Sequence, residues 1–288
     1  MSQPPGYQYP PPPVAAERPK RRWWLIAIVV AWALALAGFA AWSVRHDPPT
    51  VAEQRDIAEA LPVLERATGD VFAAADAPGR VVTLGPLEFD RTCALTPVWD
   101  GVEAGRDVTV RVRAGEAPAA LEAIARAMPA DYDAAVRRNT ARTRYALRAD
   151  AGEFVGVDAA ADSDATILTL RVSTGCRPTA KGVDLEPSPP AAVETPPAFG
   201  AALKAIGVSG AGATAAEVAC PGGGTARTVT ADGPAAPADL GRALRSVIGG
   251  ADVVQAEPHA LAYRDGAVSV VVVDGDGTAR VTATTGCR

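Results

Sequence analysis

The amino-acid sequence predicts an α+β protein made of two tandem copies of a small α-β-β-α-β-β-β unit, in which helices cover one face of an antiparallel sheet. Three observations lead to this prediction. The tetrapeptide Thr-Gly-Cys-Arg closes both halves, around Cys176 and Cys287. A second cysteine lies well upstream in each half, Cys93 in the first and Cys220 in the second. One long apolar segment precedes both halves and predicts a single transmembrane helix behind a Pro-rich N-terminus.

The first 22 residues are rich in proline and end in the basic cluster Lys20-Arg21-Arg22. Because proline has no backbone N–H and interrupts both helices and sheets, we expect residues 1–22 to be a disordered cytoplasmic tail. Two interpretations of this tail stay open. It is either a docking site for a proline-reading module or a tail without a partner.

The apolar segment runs from Trp23 to Trp42 and contains twenty residues without a charge. As a helix it is about 30 Å long, which matches the hydrocarbon core of a bilayer, and tryptophans at both ends suit the headgroup region. We therefore predict a transmembrane helix over residues 23–44. The basic cluster before it predicts a cytoplasmic N-terminus and an extracytoplasmic C-terminal part, in a single-pass protein of the cell membrane.

A cleaved signal peptide is the alternative interpretation of this segment. Ala35 and Ala37 form an Ala-x-Ala pattern in front of Gly38. The apolar run nevertheless continues to Trp42, whereas apolar regions of signal peptides are usually ~7–15 residues long. The length of the run favours a retained anchor.

The two predicted copies occupy residues 50–177 and 197–288. Each contains an opening helix, a strand pair with the upstream cysteine, a helix entered through proline, and strands that lead to the closing cysteine. The matching segments are 117–128 with 236–247, 145–157 with 259–271, and 158–177 with 270–288. Residues 178–196 between the copies are rich in proline and predict an extended linker.

The first copy is predicted to open with a helix that starts at Thr50. Thr50 and Glu53 have capping-box spacing, and Ile57, Leu61 and Leu64 share one face of the helix. The opening helix of the second copy is shorter and ends at Gly207.

The four cysteines are predicted to pair as Cys93–Cys176 and Cys220–Cys287. An extracytoplasmic compartment permits disulfides, and two copies of one unit should be closed in the same way. Gly175 and Gly286, which precede the closing cysteines, are expected to allow close backbone approach at the disulfide. A metal site or a redox pair is the alternative. No Cys-x-x-Cys spacing and no nearby histidine accompany these cysteines, so no metal or cofactor site is predicted.

Candidate catalytic side chains are few in this sequence. Of the two histidines, His46 lies beside the predicted membrane face, and His259 is placed at a strand start with a structural or surface role. No nucleophile elbow, zinc-protease motif, P-loop or dinucleotide fingerprint occurs. The sequence therefore predicts no catalytic residue.

Short charged clusters are the other candidates. They are Asp158, Asp162 and Asp164; Asp274 and Asp276; and Arg137, Arg138, Arg142 and Arg144. The aspartates fit hairpin turns better than a calcium loop, since no bidentate glutamate follows at suitable spacing. Asp131 and Asp133 are predicted to start a helix. The arginines are interpreted as a solvated face, with contact to an anionic polymer or lipid headgroup as the alternative.

The charge distribution limits the classes of function. Residues 1–48 hold five basic and two acidic side chains, so the remainder carries a net charge of −8, against −5 for the whole chain. A body with this charge and no basic stripe argues against a nucleic-acid partner. The leading hypothesis is a non-catalytic binding or scaffold module of the cell envelope, with a protein partner there. The alternatives are an envelope hydrolase with an acidic pair between the two repeats, and a sensor that signals through a cytoplasmic partner.

Overall fold

The computed structural model describes residues 23–46, 55–97, 99–192, 194–208, 212–275 and 277–287. The chain divides into two units, Met1–Thr50 and Val51–Arg288, and we call the second the two-lobed unit. The tail predicted to be disordered, the capping box of Thr50 and Glu53, and Asp276 lie outside the described residues.

The N-terminal helix α1 spans Trp23–His46. Its stretch Trp23–Trp42 has a mean hydropathy of 2.3 and exposes its side chains along its whole length. The helix is therefore long and apolar enough to cross a membrane. A core helix of a soluble domain can be equally apolar, but its side chains are mostly buried, whereas those of α1 are exposed.

The first lobe of the two-lobed unit is a six-stranded antiparallel sheet with two helices. Its elements are α2 (Ile57–Ala75), β1 (Val81–Asp90), β2 (Ala94–Thr96), β3 (Trp99–Asp100), β4 (Glu103–Arg111), α3 (Ala117–Ala127), β5 (Ala135–Arg138), β6 (Arg144–Asp150), β7 (Gly156–Asp162) and β8 (Ile167–Ser173). The strand order is β1-β4-β8-β7-β6-β5, and β2 and β3 form a small separate hairpin. Helix α2 packs against β4 and β8, and α3 packs against β5, β6 and β7.

The second lobe is also a six-stranded antiparallel sheet with two helices. Its elements are α4 (Pro197–Ala205), β9 (Thr214–Ala219), β10 (Thr225–Ala235), α5 (Leu240–Ala243), β11 (Asp252–Glu257), β12 (Ala260–Asp265), β13 (Val268–Gly275) and β14 (Thr278–Thr285). The strand order is β9-β10-β14-β13-β12-β11. Once the β2–β3 hairpin is set aside, this is the order of the first sheet. The predicted α+β class with antiparallel sheets is confirmed.

Each sheet contains one more strand than the sequence predicted, namely β5 and β11. Asp131 and Asp133 do not start an α-helix, because Ala130–Tyr132 forms a single 3-10 turn and Asp133 adopts a left-handed conformation with φ of 47°. Strand β5 follows directly, and Val136 is its one half-buried apolar side chain. In β11 a register shift interrupts the alternation of side chains. Both strands are too short or too irregular for a period of two to be recognised.

Helix α2 begins at Ile57, seven residues after the predicted start. The side chain of Asp56 accepts a hydrogen bond from the backbone N–H of Glu59 at 3.2 Å and thereby caps the first turn. The helix continues past Gly69 to Ala75, and its buried face includes Leu64. Aspartate is a good N-cap residue, so Asp56 takes the role that the sequence assigned to Thr50.

The two lobes share hydrophobic contacts. The core between α2 and the first sheet includes three residues of the second lobe, Val218, Cys220 and Ala226, whereas a second core lies between α4, α5 and the second sheet. The segment predicted as a linker also belongs to the folded unit. Pro178 accepts a hydrogen bond from the backbone N–H of Ile57 at 3.0 Å, and Pro190 accepts one from that of Ala215 at 2.8 Å.

Candidate functional site between the two lobes

The free edge of β1 lies on the outer face of the second sheet, the face turned away from α4 and α5. The backbone N–H of Val82 donates to the hydroxyl of Ser269, and that of Leu84 donates to the hydroxyl of Thr228, both at 3.0 Å. An edge strand presents N–H groups that need partners when they are buried. Hydroxyl side chains of the second lobe supply these partners, and Thr228 in turn bonds Thr284 at 2.7 Å.

An apolar contact and an ion pair extend this junction. Val81 of β1 packs with Val254, Ala262 and Val271 of the second sheet. At the end of α2, Asp76 pairs with Arg264 at 2.7 Å, and each of these side chains is only 13% exposed. An ion pair with this little exposure is screened less by water than a surface pair, so it ties the C-terminus of α2 to β12.

Helix α2 also crosses β9 at very short range. A Cβ atom at Gly69 would lie 2.1 Å from the carbonyl oxygen of Ala219. Glycine is therefore required there by close approach. Ala219 directly precedes Cys220, so this close approach lies beside a cysteine of the second lobe.

Beside this junction, the outer faces of the two sheets enclose a groove of two adjoining cavities. The first, of about 350 Å³, is lined by six threonines, namely Thr83 and Thr109 of the first sheet and Thr214, Thr228, Thr230 and Thr282 of the second. The second, of about 300 Å³, adds prolines of the connecting segment 187–190. Pro86, Pro189, Ala215 and Ala216 line both cavities. The groove therefore offers hydroxyl groups along one half and apolar rings along the other.

Three ion pairs border the groove. Arg280 holds Asp232 with two hydrogen bonds, at 2.7 and 3.4 Å. Glu65 accepts a hydrogen bond from Arg106 at 2.7 Å, and Glu217 accepts one from Arg227 at 2.6 Å. Burial lowers the pKa of the Arg106 guanidinium, and Glu65 opposes this effect. The pKa of Arg280 is raised by its hydrogen bond with Asp232.

The four cysteines lie in two pairs, one in each lobe. The Cα atoms of Cys93 and Cys176 are 5.8 Å apart, and those of Cys220 and Cys287 are 5.7 Å apart, both within the range of disulfide bonds. Cys93 and Cys176 join the segment after β1 to the end of β8. Cys220 and Cys287 join the corresponding places in the second lobe.

The two Thr-Gly-Cys-Arg segments differ in what their glycines do. Gly175 has a left-handed φ of 62° and open space around it, so backbone conformation and not close approach requires glycine. A Cβ at Gly286 would lie 2.1 Å from a carboxylate oxygen of Asp76, which belongs to the first lobe. The glycine packed against the first disulfide is Gly101, where a Cβ would lie 2.5 Å from the sulfur of Cys176. The sequence did not indicate Gly101.

Arg177, the residue after the first closing cysteine, is 1% exposed. Its Nε donates to the backbone carbonyl of Thr174 at 2.7 Å, and its Nη2 donates to that of Glu153. The guanidinium thus connects the end of β8 to the turn between β6 and β7. A basic residue after a cysteine is no signal for such a role, which is why sequence reasoning missed it.

The acidic clusters take part in ion pairs and turns. Asp158 pairs with Arg148 at 3.0 Å and Asp162 with Arg144 at 3.8 Å, across neighbouring strands. Asp274 accepts a hydrogen bond from the N–H of Gly277 at 3.0 Å, as in a hairpin turn. In the described parts of the chain, no three His, Cys, Asp or Glu side chains group as metal ligands would.

His259 lies in the turn immediately before β12, which begins at Ala260, and its backbone carbonyl accepts a hydrogen bond from the N–H of Asp274 at 2.9 Å. Its imidazole is exposed, and its Nδ1 lies 3.2 Å from a carboxylate oxygen of Asp274. Neither His259 nor Asp274 lines either of the two cavities of the groove.

None of the family models, curated proteins or solved structures with which the chain was compared matches it. The class of protein is therefore described from its fold and its groove. The protein has an apolar N-terminal helix and a two-lobed α+β unit with cysteine pairs at disulfide distance, which are typical of an oxidising, extracytoplasmic environment.

Proposed function

We propose that this protein is a single-pass membrane protein of the cell envelope, with a cytoplasmic N-terminus, whose two-lobed unit is an extracytoplasmic, non-catalytic binding or scaffold module. The groove between the lobes is the observation that carries this proposal. It is concave, it is built by both lobes, and its lining combines hydroxyl groups with proline rings. Binding sites are typically concave and largely apolar, with a few polar groups that orient the ligand.

The orientation and the compartment rest on charge and on the cysteines. Lys20, Arg21 and Arg22 precede the apolar segment, and basic residues beside a membrane helix are concentrated on the cytoplasmic side. The two cysteine pairs support export of everything after α1, because disulfides persist outside the cytoplasm.

We also propose that the two lobes arose by tandem duplication of one α+β unit with helices on one face of its sheet. The support is the identical strand order of the two sheets and the matching positions of the cysteine pairs. Duplication gives a second sheet whose outer face is free to receive the edge of the first, and the groove forms where the two meet.

A photoreactive residue in the groove tests the binding function. In the full-length protein in its native membranes, it replaces Thr214, an exposed residue that lines the first cavity. The matched control carries it at Ser246, an exposed residue of the second lobe that lines neither cavity. We expect one envelope component to be crosslinked from position 214 and not from position 246.

A groove-filling variant completes this experiment. Ala216→Trp places a large side chain at a position shared by both cavities and should abolish crosslinking from position 214. Capture of the same component from both positions, or crosslinking that persists in A216W, would contradict a binding site in the groove.

A hydrolase is the second candidate, because Glu65 of the first lobe and Glu217 of the second line the same cavity. Two carboxylates in one cavity are the usual equipment of general acid–base hydrolysis. If the groove is catalytic, the purified protein should release fragments from envelope polymers. E65Q and E217Q should each abolish this release. Retention of activity in both variants excludes this mechanism.

A further inference from the structure

The hairpin formed by β5 and β6, residues 135–148, differs in charge from the rest of the two-lobed unit. Residues 135–148, over which the two strands are paired, contain five arginines and no acidic residue, and β6 then ends at Asp150, whereas the chain after residue 48 carries a net charge of −8. We call these residues the basic hairpin. The arginines are Arg137, Arg138, Arg142, Arg144 and Arg148, and all five are exposed along the strands or turn, while Val136 and Tyr145 face the core.

Three of these arginines lie on the outer face of the first sheet in a regular arrangement. Arg137 is paired with Ala146, and Arg144 and Arg148 lie two residues to either side of Ala146 on β6. Two residues of a strand span about 7 Å, so the guanidinium groups follow the strand direction at steps of about that length. Ala146 is in turn paired with Ala160 of β7. These small side chains leave room for an extended chain to lie close to the sheet between the arginines, with Asp158 and Asp162 of β7 on either side of Ala160 on the same face.

The turn of the basic hairpin is held by Asn139. Its side-chain oxygen accepts hydrogen bonds from the backbone N–H groups of Thr143 at 2.9 Å and Arg144 at 3.2 Å, and its amide donates to the hydroxyl of Thr143. Arg142 adopts a left-handed φ of 57° in this turn. The turn therefore presents a guanidinium from an organised backbone and not from a loop without internal bonds.

The ion pairs that these arginines make are weak competitors for a ligand. Arg144 with Asp162 and Arg148 with Asp158 are pairs in which every side chain is more than half exposed, and such pairs contribute little. Arg137, Arg138 and Arg142 make no ion pair with the part of the chain that the structure describes. Three arginines without such a pair and two in exposed pairs give this hairpin a local site for anions.

We propose that the basic hairpin docks a linear, phosphate-bearing polymer of the cell envelope. Guanidinium groups form bidentate hydrogen bonds with phosphate, and their spacing along a flat strand face suits a chain that carries charges at regular intervals. A lipid surface fits less well, because separate headgroups have no fixed spacing that would match the row of guanidinium groups, and the vesicle arm of the experiment tests it.

Inorganic polyphosphate, a linear polyanion, is the probe for this proposal. Full-length protein in nanodiscs of zwitterionic phospholipid is titrated with it at several salt concentrations. We expect binding whose logarithm falls linearly with the logarithm of salt concentration, and R137Q/R144Q, which removes two arginines of the outer face, should reduce the slope by about 1.4, at about 0.7 for each lost phosphate contact. The matched control is R242Q/R245Q, which removes two exposed arginines from the second lobe.

Three outcomes would overturn the proposal. The first is no binding of polyphosphate by the unaltered protein at low salt. The second is an equal loss of slope in R242Q/R245Q, which would show an effect of net charge alone. For the third, the same nanodiscs are mixed with vesicles of zwitterionic or anionic phospholipid. The proposal fails if the protein floats with anionic vesicles, if R137Q/R144Q abolishes this flotation, and if polyphosphate is not bound. Because none of these measurements involves the groove, failure here leaves the proposed binding function of the groove untouched.

Discussion

The two lobes share a strand order but protect the matching edge strands, β1 and β9, in different ways. The free edge of β1 is buried on the outer face of the second sheet, where Ser269 and Thr228 accept its N–H groups. The free edge of β9 is covered by the connecting segment, through a bridge between Ala191 and Thr214 and a hydrogen bond from Ala215 to Pro190. One lobe is thus completed by its partner lobe, and the other by its own approach segment.

The helices show the same asymmetry. Helix α2 has 19 residues and reaches across to β9, whereas the corresponding helix α4 has nine residues and packs within its own lobe. The core of the first lobe accordingly includes Cys220 of the second. A difference in stability between equivalent changes in the two lobes therefore measures how far the second lobe supports the first.

Removal of each disulfide should give the largest effects. The loops that they close have sequence separations of 83 and 67 residues. Loops of this length are stabilised by about 4–5 kcal/mol in the chain-entropy model, so the two values are nearly equal on that ground alone. Cys220 is also buried in the core shared by both lobes, whereas Cys93 is only half-buried. C220A/C287A should therefore lower the free energy of unfolding by about 1 kcal/mol more than C93A/C176A.

Urea denaturation of the two-lobed unit, with both double variants and the unaltered protein in parallel, checks this order. An equal loss in the two variants would mean that Cys220 contributes only through loop closure. Independent unfolding of the two lobes, seen as two transitions, would contradict the shared core.

One glycine in the opening helix of each lobe gives the second comparison between the lobes. Gly69 of α2 has no room for a methyl group against the carbonyl of Ala219, so G69A should destabilise the unit by about 2–3 kcal/mol. Gly200 of α4 is exposed with open space around it, so G200A should stabilise by about 0.5–1 kcal/mol through helix propensity. Thermal unfolding monitored by circular dichroism measures both. A neutral G69A would show that α2 does not cross β9 this closely.

The sequence predicted those helices and strands whose signal lies within one short segment or occurs in both copies. Closing strands with a β-branched run before Cys176 and Cys287, and the helix before Met128, are recognisable because side-chain periodicity reports which face is buried. The start of α2 was misplaced because Asp56 is an N-cap signal as good as Thr50, and only packing decides between them. Strand β5 was missed because Val136 is its single inward apolar residue.

The groove was beyond sequence reasoning for a different reason. The alternation of Thr228 and Thr230 with Val229 identifies a polar face on β10, and that signal was present. It does not say what covers the face. The N–H of Leu84 that bonds Thr228 lies 144 residues away, and no local pattern encodes such a pairing. The ion pair between Asp76 and Arg264 could not be predicted for the same reason, since in the sequence both residues look like ordinary surface charges.

The smallest effects are expected from two buried tyrosines, one in each lobe. Tyr132 donates a hydrogen bond to the buried carboxylate of Asp70 at 2.5 Å. The hydroxyl of Tyr263 is buried without a hydrogen-bond partner in the described residues. Y132F should therefore destabilise by about 1–2 kcal/mol, whereas Y263F should be neutral or stabilising by up to about 1 kcal/mol. Urea denaturation at neutral pH compares the two, and an equal loss in both would show that Tyr263 has a partner.

Alkaline pH extends this comparison of the tyrosines. Burial raises the pKa of both to about 12, with Asp70 adding to the effect at Tyr132 and Asp265 at Tyr263. An unfolded tyrosine ionises near 10, so the unfolded chain loses protons first as the pH rises. Stability should be independent of these groups below about pH 10 and should fall from there through pH 12. The fall should be less steep in Y132F and in Y263F than in the unaltered protein. The tyrosinate absorbance of Tyr132 and Tyr263, measured as the difference between the unaltered protein and each variant, should appear only as the unit unfolds. Tyrosinate formed in the folded state near pH 10 would mean that water reaches these side chains, and the lobe in which it appears first is the less tightly closed of the two.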